Sequence, residues 1–207
     1  MSPSVFAEKL NKGISKGLPG ERAHQFMNPL GRVMQPNVSS NTKKSSVMIL
    51  VSFNTPEPTL TLIERAKYNG IHSGQIAFPG GKFDSNFDKT DLDTAIRETW
   101  EEVGYVTDPK DVIARLSDLY IPLSDIFVYP FVAVLPTIPC LKPTSYEVEQ
   151  VFQIPLCQFY KNNAKENLFV SQNYEIKAPF WDADGAMVWG ATAMIINELM
   201  ELLELED

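Results

Sequence analysis

The stretch RETWEEVGY (residues 97–105) carries three glutamates on one short element, and FPGG (residues 78–81) precedes it. In a helix, Glu98, Glu101 and Glu102 stand at positions i, i+3 and i+4 and therefore share one face. Like charges this close repel one another, so a helix gains nothing from collecting them unless a cation lies between them. The segment therefore predicts a helix that offers hard oxygen ligands to a metal ion.

The opposite face of this helix consists mainly of apolar residues: Leu92, Ala95, Ile96, Thr99 and Val103. Such a stripe faces a hydrophobic core in an amphipathic helix, and Thr99 is its one weak member. Gly104 follows directly, at the position where a left-handed residue commonly ends a helix. We therefore predict a helix over residues 91–103 that is anchored on one side and polar on the other.

A solvated surface is the simplest alternative for a glutamate-rich helix face. Two features of the sequence argue against it. Arg97 stands four residues before Glu101 and can hold the cluster together as an ion pair. Gly80 and Gly81 lie in a turn before the helix and allow the backbone to approach a ligand closely.

The same residues resemble the signature of the Nudix hydrolases, in which a glycine and a spacer precede Arg-Glu-(apolar)-x-Glu-Glu-x-Gly-(apolar). The matching positions are Gly81, Arg97, Glu98, Glu101, Glu102, Gly104 and Tyr105. The stretch from Leu62 to Tyr105 is similar to the coenzyme A pyrophosphatase branch, through Arg65-Ala66 and HSGQIAFPGG (residues 72–81). EVEQVFQIPL (residues 147–156) and VWGATA (residues 188–193) extend this similarity along the chain.

The chain also departs from the pattern of that branch. An arginine of the branch falls on Gly70 here, which removes a phosphate contact and keeps the choice of substrate open. The spacer between Gly81 and Arg97 has 15 residues and is longer than the general pattern. Thr99 replaces an apolar residue, and Asp88 is the nearest acid to the glutamate usual early in the spacer. The longer spacer is a change of loop that leaves the helix intact.

The resemblance implies an α/β fold, a Nudix-type α/β/α sandwich with a mixed β-sheet. Because carboxylate oxygens suit Mg²⁺ and Mn²⁺, we predict one of these ions on Glu98, Glu101 and Glu102. The resemblance adds the carbonyl of Gly80 to this set. Arg97 is expected to orient the glutamates, and Glu98 or Glu147 is expected to accept a proton from the attacking water. The candidate substrate-binding residues are Arg65, Lys67, His72, Gly81 and Lys82.

For coenzyme A or its acyl derivatives, the resemblance implies hydrolysis to adenosine 3′,5′-bisphosphate and 4′-phosphopantetheine or its acyl form. One alternative is the same fold acting on ADP-ribose, a dinucleotide or a nucleoside triphosphate. A second alternative is a catalytically silent binding module. The complete glutamate set argues against the silent module, because a protein without this chemistry has no need of repelling carboxylates.

Composition and charge narrow the class of protein and its partners. The chain has 207 residues, 44% hydrophobic and 21% charged, with a net charge of −8. This acidity argues against a nucleic-acid partner, while a bound metal would let an acidic protein accept an anionic small molecule. Cys140 and Cys157 are expected to be reduced. No apolar run is long enough for a membrane helix and no signal-peptide core is present, so we predict a cytoplasmic protein and leave a homodimer open.

We predict a leader over residues 1–44, with a helix at 3–16 followed by loops, and a Nudix hydrolase domain over residues 45–207. Further strands are predicted at 47–53, 60–64, 75–78, 113–121, 127–135 and 148–153, with helices at 155–160 and 190–203. A hairpin is predicted from strands at 168–171 and 174–178 around Gln172-Asn173. Three side chains are interpreted as structural: His24, Trp181 and Trp189. The acids at 84–88 lack the glycine and glutamate of an EF-hand, and we interpret them as a solvated loop.

Overall fold

The computed structural model describes residues 1–32, 39, 41–69, 72–171 and 174–204. In these residues the helices are α1 (Pro3–Ser15), α2 (Glu21–His24), α3 (Asp91–Val103) and α4 (Gly190–Glu204). The strands are β1 (Lys43–Ser52), β2 (Thr59–Arg65), β3 (Ile76–Ala77), β4 (Gly80–Lys82), β5 (Val112–Arg115), β6 (Leu119–Ile121), β7 (Ile126–Leu135), β8 (Val148–Pro155), β9 (Lys165–Ser171), β10 (Tyr174–Ala183) and β11 (Ala186–Trp189). Short 3-10 helices cover Gln25–Met27, Pro109–Asp111, Leu156–Phe159 and Lys161–Asn163.

Strand β1 lies at the centre of a mixed sheet formed by β1 to β8. It runs parallel to β7 along its whole length and antiparallel to β2 and β4. Strands β3 and β8 extend the sheet from β2, and β5 and β6 pair with β7. Strands β9, β10 and β11 form a second, antiparallel sheet. A parallel pair needs a long crossover, and the chain between β1 and β7 includes both α3 and β4.

Successive residues of β1 face opposite sides of the sheet and bury two separate cores. Met48 and Leu50 pack with Ala95 of α3 on one side. Ile49 and Val51 belong to the larger core on the other side, which includes side chains of α1 and α4. The sheet therefore lies between helical layers, and the predicted α/β fold with a mixed sheet is confirmed.

Helix α3 begins and ends where the sequence predicts. Thr90 and Asp93 form a capping box, in which each side chain accepts a hydrogen bond from the other residue's backbone N–H. Gly104 adopts the left-handed conformation at the other end, with φ of 72°. Thr99 is buried and its hydroxyl donates to the carbonyl of Ala95 over 2.7 Å, so a polar residue fits the core face without an unpaired group.

Some predicted elements differ from the observed ones. The leader contains α2 and a 3-10 helix in addition to the predicted first helix, and both are too short to show a hydrophobic period. The predicted strand at 113–121 is two strands, β5 and β6, separated at residues 116–118. The short strands β4 and β11 were not predicted. The predicted hairpin is formed by β9 and β10, while its turn at Gln172-Asn173 lies outside the described residues.

Polar contacts join the leader to the final helix. His24 is buried, and its Nε2 lies 2.9 Å from a carboxylate oxygen of Glu198 on α4. Ser117 donates its hydroxyl to the other oxygen of Glu198 over 2.6 Å. Burial alone raises the pKa of Glu198, but the hydrogen bonds from His24 and Ser117 outweigh it and the pKa is lowered. The interpretation of His24 as a structural side chain therefore agrees with its position.

Trp181 is fully buried, as predicted for a core residue. Trp189 is only half-buried, because it lies at the end of β11 where the two sheets leave a cleft between them. Cys140 and Cys157 are both free thiols. In the part of the chain that the structure describes, no helix is long and apolar enough to cross a membrane.

Candidate active site

Strand β4 brings two glycines against the glutamate face of α3. The backbone N–H of Gly80 donates to Oε2 of Glu102 over 2.8 Å. Gly80 has φ of 154°, and a Cβ there would lie 2.3 Å from the carbonyl oxygen of Ser46. A Cβ at Gly81 would lie 2.4 Å from the carboxylate carbon of Glu98. Gly80 therefore requires glycine, because the backbone of β4 lies directly against the backbone of β1, whereas a side chain at Gly81 would displace the carboxylate of Glu98.

Arg97 holds two of the three glutamates. Its Nη1 donates to Glu98 over 2.8 Å and to Glu101 over 3.2 Å. Its Nη2 also donates to the carbonyl of Lys82 over 3.1 Å, which links α3 to β4. Arg97 is thus placed to orient the glutamates, as the resemblance implies, and hydrogen bonds to Asp88 and Glu98 raise its own pKa.

Asp88 corrects the interpretation of residues 84–88 as a solvated loop. Its carboxylate is buried and receives two hydrogen bonds from Arg97, from Nε and Nη2, each 2.9 Å long. The hydroxyl of Thr94 and the backbone N–H of Asp84 donate to it as well. The hydrogen bonds from Arg97 are the largest cause of its lowered pKa of about 2. The loop turns Asp88 inward to neutralise Arg97, which a local reading of the acidic spacer cannot show.

Glu102 is the most buried of the three glutamates, with 3% of its surface exposed. Burial raises its pKa to about 7, although the Gly80 N–H and the charge of Arg65 act in the opposite direction. Nη1 of Arg65 lies 3.8 Å from Glu102, too far for a hydrogen bond. The pKa of Glu98 is raised mainly by burial, with smaller contributions from the charges of Glu101 and Glu147.

The glutamates are brought together but do not form a ready metal shell. Among the described residues, no three His, Cys, Asp or Glu side chains converge closely enough to hold a metal ion. Glu98 and Glu101 turn toward Arg97, and Glu102 turns toward Gly80. The donor set still fits a hard divalent cation, because it is all carboxylate and because Arg65, at 3.8 Å, is too far from the buried Glu102 to donate a hydrogen bond to it.

Four of the other predicted site residues line a cleft of about 940 Å³. Arg65, His72, Gly81 and Lys82 line it, and Nδ1 of His72 lies 3.0 Å from Oε1 of Gln75. Glu147 is exposed on the loop before β8, yet its charge is near enough to raise the pKa of both Glu98 and Glu102.

One candidate, Lys67, stands apart from this cleft. Lys67 is exposed, and it is not among the described residues that line the cleft. Gly70 lies outside the described residues.

Three residues of the site region were not predicted to belong to it. Asp88 could have been suspected from the spacer, since it is the acid nearest to the one usual in the signature. Arg32 of the leader and Trp189 line the cleft, and Trp189 stacks on Phe169 with ring centroids 4.3 Å apart. Neither carries a local signal, because tertiary packing alone brings the leader and the second sheet to this place.

The family model described as "NUDIX domain" matches residues 42–167. The "Uncharacterized Nudix hydrolase NudL" of Photorhabdus laumondii is 31% identical over 170 residues, which cover 82% of this chain and 90% of the relative. The protein of the same name from Yersinia pestis is 30% identical over 199 residues, covering 91% and 98%.

Solved structures show the same fold at lower identity. A MutT/nudix family protein from Enterococcus faecalis has a TM-score of 0.55 at 16% identity, covering 81% of this chain and 64% of that one. A bifunctional NMN adenylyltransferase/ADP ribose pyrophosphatase from Francisella tularensis has a TM-score of 0.52 at 16% identity, covering 79% and 42%. This chain thus corresponds to less than two thirds of either protein, and the likeness concerns the fold.

The ion pair between Asp88 and Arg97 yields a first prediction. Asp88→Asn removes the charge that neutralises Arg97 and should lower the free energy of unfolding by about 3 kcal/mol. Because the pKa of Asp88 is lowered to about 2, its stabilisation is present above pH 4 and is lost as the pH falls toward 2. Thermal melting between pH 2 and pH 7 should show this acid-side loss in the wild type and a smaller one in the variant. Asp84→Asn is the control from the same loop, and an equal effect of both variants would contradict the assignment.

The raised pKa of Glu102 yields a prediction with the opposite dependence of stability on pH. The folded protein binds a proton at Glu102 that the unfolded chain releases, so stability without metal falls as the pH rises from 4.5 to 7. This loss is on the order of 3 kcal/mol. Glu102→Gln lacks the titrating carboxyl group. Its melting temperature, measured in chelator, should therefore decline less between pH 5 and pH 8 than that of the wild type. Glu149→Gln, on the exposed surface of β8, should keep the wild-type decline. Equal slopes for Glu102→Gln and the wild type would show that Glu102 is not buried as described.

Proposed function

The chain belongs to the Nudix family of hydrolases, and we propose that it hydrolyses the pyrophosphate bond of coenzyme A or an acyl derivative. Family membership supports the coarser activity, hydrolysis of a nucleoside diphosphate derivative. One observation carries the choice of coenzyme A. The segment at 72–81 that resembles the coenzyme A branch forms a wall of the cleft, with His72, Gln75, Phe78 and Gly80 among its lining residues.

A divalent metal, Mg²⁺ or Mn²⁺, held by Glu98, Glu101, Glu102 and the Gly80 carbonyl would neutralise the pyrophosphate and activate water for in-line attack. The protein's own groups position that set. Arg97 fixes Glu98 and Glu101, while the N–H of Gly80 fixes Glu102. Glu102 lies on the buried side of the cluster, with 3% of its surface exposed.

Cations of the protein face the cleft next to the glutamates. Arg65 and Lys82 line it and are placed to meet the charged oxygens of a pyrophosphate. The proton of the attacking water requires a carboxylate acceptor, and Glu98 and Glu147 are the candidates. Glu147 is exposed and near the cluster, so it can release the proton to solvent.

Two other functions remain as outcomes of the experiments. Gly70 replaces an arginine of the coenzyme A branch, which keeps open a related substrate such as ADP-ribose, a dinucleotide or a nucleoside triphosphate. A silent binding module would keep the fold without the chemistry. A binding role alone does not explain why the repelling glutamates are kept together. It also does not explain why Arg97 holds Glu98 and Glu101 while the buried Asp88 holds Arg97.

The substrate prediction is tested by comparing kcat/KM for coenzyme A, acetyl-coenzyme A and ADP-ribose, with Mg²⁺ or Mn²⁺, and by product mass. We expect coenzyme A or its acyl form to give the highest value, with adenosine 3′,5′-bisphosphate as one product. A value for ADP-ribose about tenfold higher would reject the coenzyme A branch and leave the Nudix activity in place.

The glutamate cluster is tested by Glu102→Gln on the best substrate. The side chain keeps its size and helix propensity but loses one negative ligand. We expect kcat to fall by roughly 10²–10⁴ while the fold survives. Chelator should abolish the activity of the wild type. Glu149→Gln is the matched control and should keep wild-type turnover, and near wild-type turnover of Glu102→Gln at normal stability would exclude Glu102 from the site.

A further inference from the structure

Arg32, at the end of the described leader, places a guanidinium group in the wall of the cleft. Its Nη2 donates to the carbonyl of Tyr120 on β6 over 2.6 Å. Its Nη1 makes a weaker contact of 3.5 Å with the sulfur of Met194 on α4. Its Nε is buried and has no hydrogen-bond partner among the described residues. The group therefore keeps donor capacity that this part of the chain does not use.

Within the described ranges, the charge of Arg32 also has no counterion. The other four arginines of the chain each lie within 4.0 Å of a carboxylate, in the pairs Arg22–Glu201, Arg65–Glu102, Arg97–Asp88 and Arg115–Asp118. Among the described residues, no carboxylate lies within that distance of Arg32. Burial lowers its pKa to about 10, and no nearby acid offsets this effect. A desolvated, unpaired cation is costly for a protein, and an anion bound beside it would remove that cost.

The sheet separates Arg32 from the glycines of β4. Strands β4, β1, β7 and β6 follow one another, so three strand spacings lie between β4 and the backbone of Tyr120. At about 4.8 Å per spacing, this distance is about 14 Å. One pyrophosphate group cannot contact both Gly80 and Arg32 across that distance.

We propose that Arg32 binds a second anionic group of the substrate, a phosphomonoester carried by the nucleotide, at the end of the cleft remote from the glutamates. The position of the pyrophosphate in this proposal rests on the proposed function. In coenzyme A, the second group is the phosphate on the 3′ position of the ribose. The planar guanidinium suits such a phosphate, since it can donate two parallel hydrogen bonds. Arg32 is then a residue that selects among nucleotide derivatives.

A purely structural role for Arg32 makes a different prediction. The bond to Tyr120 would then serve only to attach the leader to β6, and its loss would weaken all ligands alike or lower stability alone. A phosphate site requires instead that only ligands with the second phosphate are affected.

The experiment measures the Kd of adenosine 3′,5′-bisphosphate and of 5′-AMP by calorimetry in the presence of Mg²⁺. Neither compound contains a pyrophosphate bond, so the result does not depend on hydrolysis. The wild type should bind the bisphosphate about ten- to hundredfold more tightly than 5′-AMP, because a charge-assisted hydrogen bond contributes a difference in affinity of that size. Arg32→Gln should remove this preference and leave the Kd of 5′-AMP unchanged. Arg22→Gln, an exposed arginine of the same leader, should keep the preference.

Equal binding of the two nucleotides by the wild type, or no measurable binding of the bisphosphate, overturns the proposal. So does a preference that survives in Arg32→Gln. If that variant fails to fold, Arg32→Lys keeps the charge without the planar fork and should show a reduced preference. Retention of the full preference in Arg32→Lys together with its loss in Arg22→Gln would also overturn the assignment. A bisphosphate preference in an enzyme that does not cleave coenzyme A would reject the proposed substrate and support the role of Arg32.

Discussion

Arg97 binds three carboxylates at once, and the glutamate face of α3 depends on this contact. The buried Asp88 takes two of its hydrogen bonds, while Glu98 and Glu101 share a third nitrogen. Without this cation, acidic groups would repel one another across a partly buried surface. The same guanidinium reaches the carbonyl of Lys82 and so fixes β4 against the helix. Helix, loop and glycine strand are therefore positioned by one side chain.

The parts of this site that depend on local sequence were predictable. The period of the apolar stripe and Gly104 behind it predict α3 and the face on which the glutamates lie. Gly80 and Gly81 signal close backbone approach, and the structure shows the two contacts that a side chain would block. The glycine turn and the helix face are short-range features, which a pattern of residues records directly.

The remaining parts depend on contacts between distant segments. In the sequence, Asp88 cannot be distinguished from a solvated loop acid. Its contact with Arg97, nine residues later, forms only because the loop folds back onto α3. Arg32 and Trp189 reach the cleft from the leader and from the second sheet, on either side of the matched residues 42–167. The cleft is therefore larger than the segment that identifies the family. We expect its selectivity to depend on these flanking residues and its chemistry to depend on α3.

Hydrolysis of coenzyme A in oxygen-18 water with Mg²⁺, analysed by product mass, tests the central claim most directly. Attack of water on one phosphorus should yield adenosine 3′,5′-bisphosphate and 4′-phosphopantetheine, with one heavy oxygen in one of the two products per turnover. Glu102→Gln at matched stability should form both products roughly 10²–10⁴-fold more slowly in the same incubation. Unchanged coenzyme A, or equal product formation by the variant, would contradict the assignment of this cluster to pyrophosphate hydrolysis.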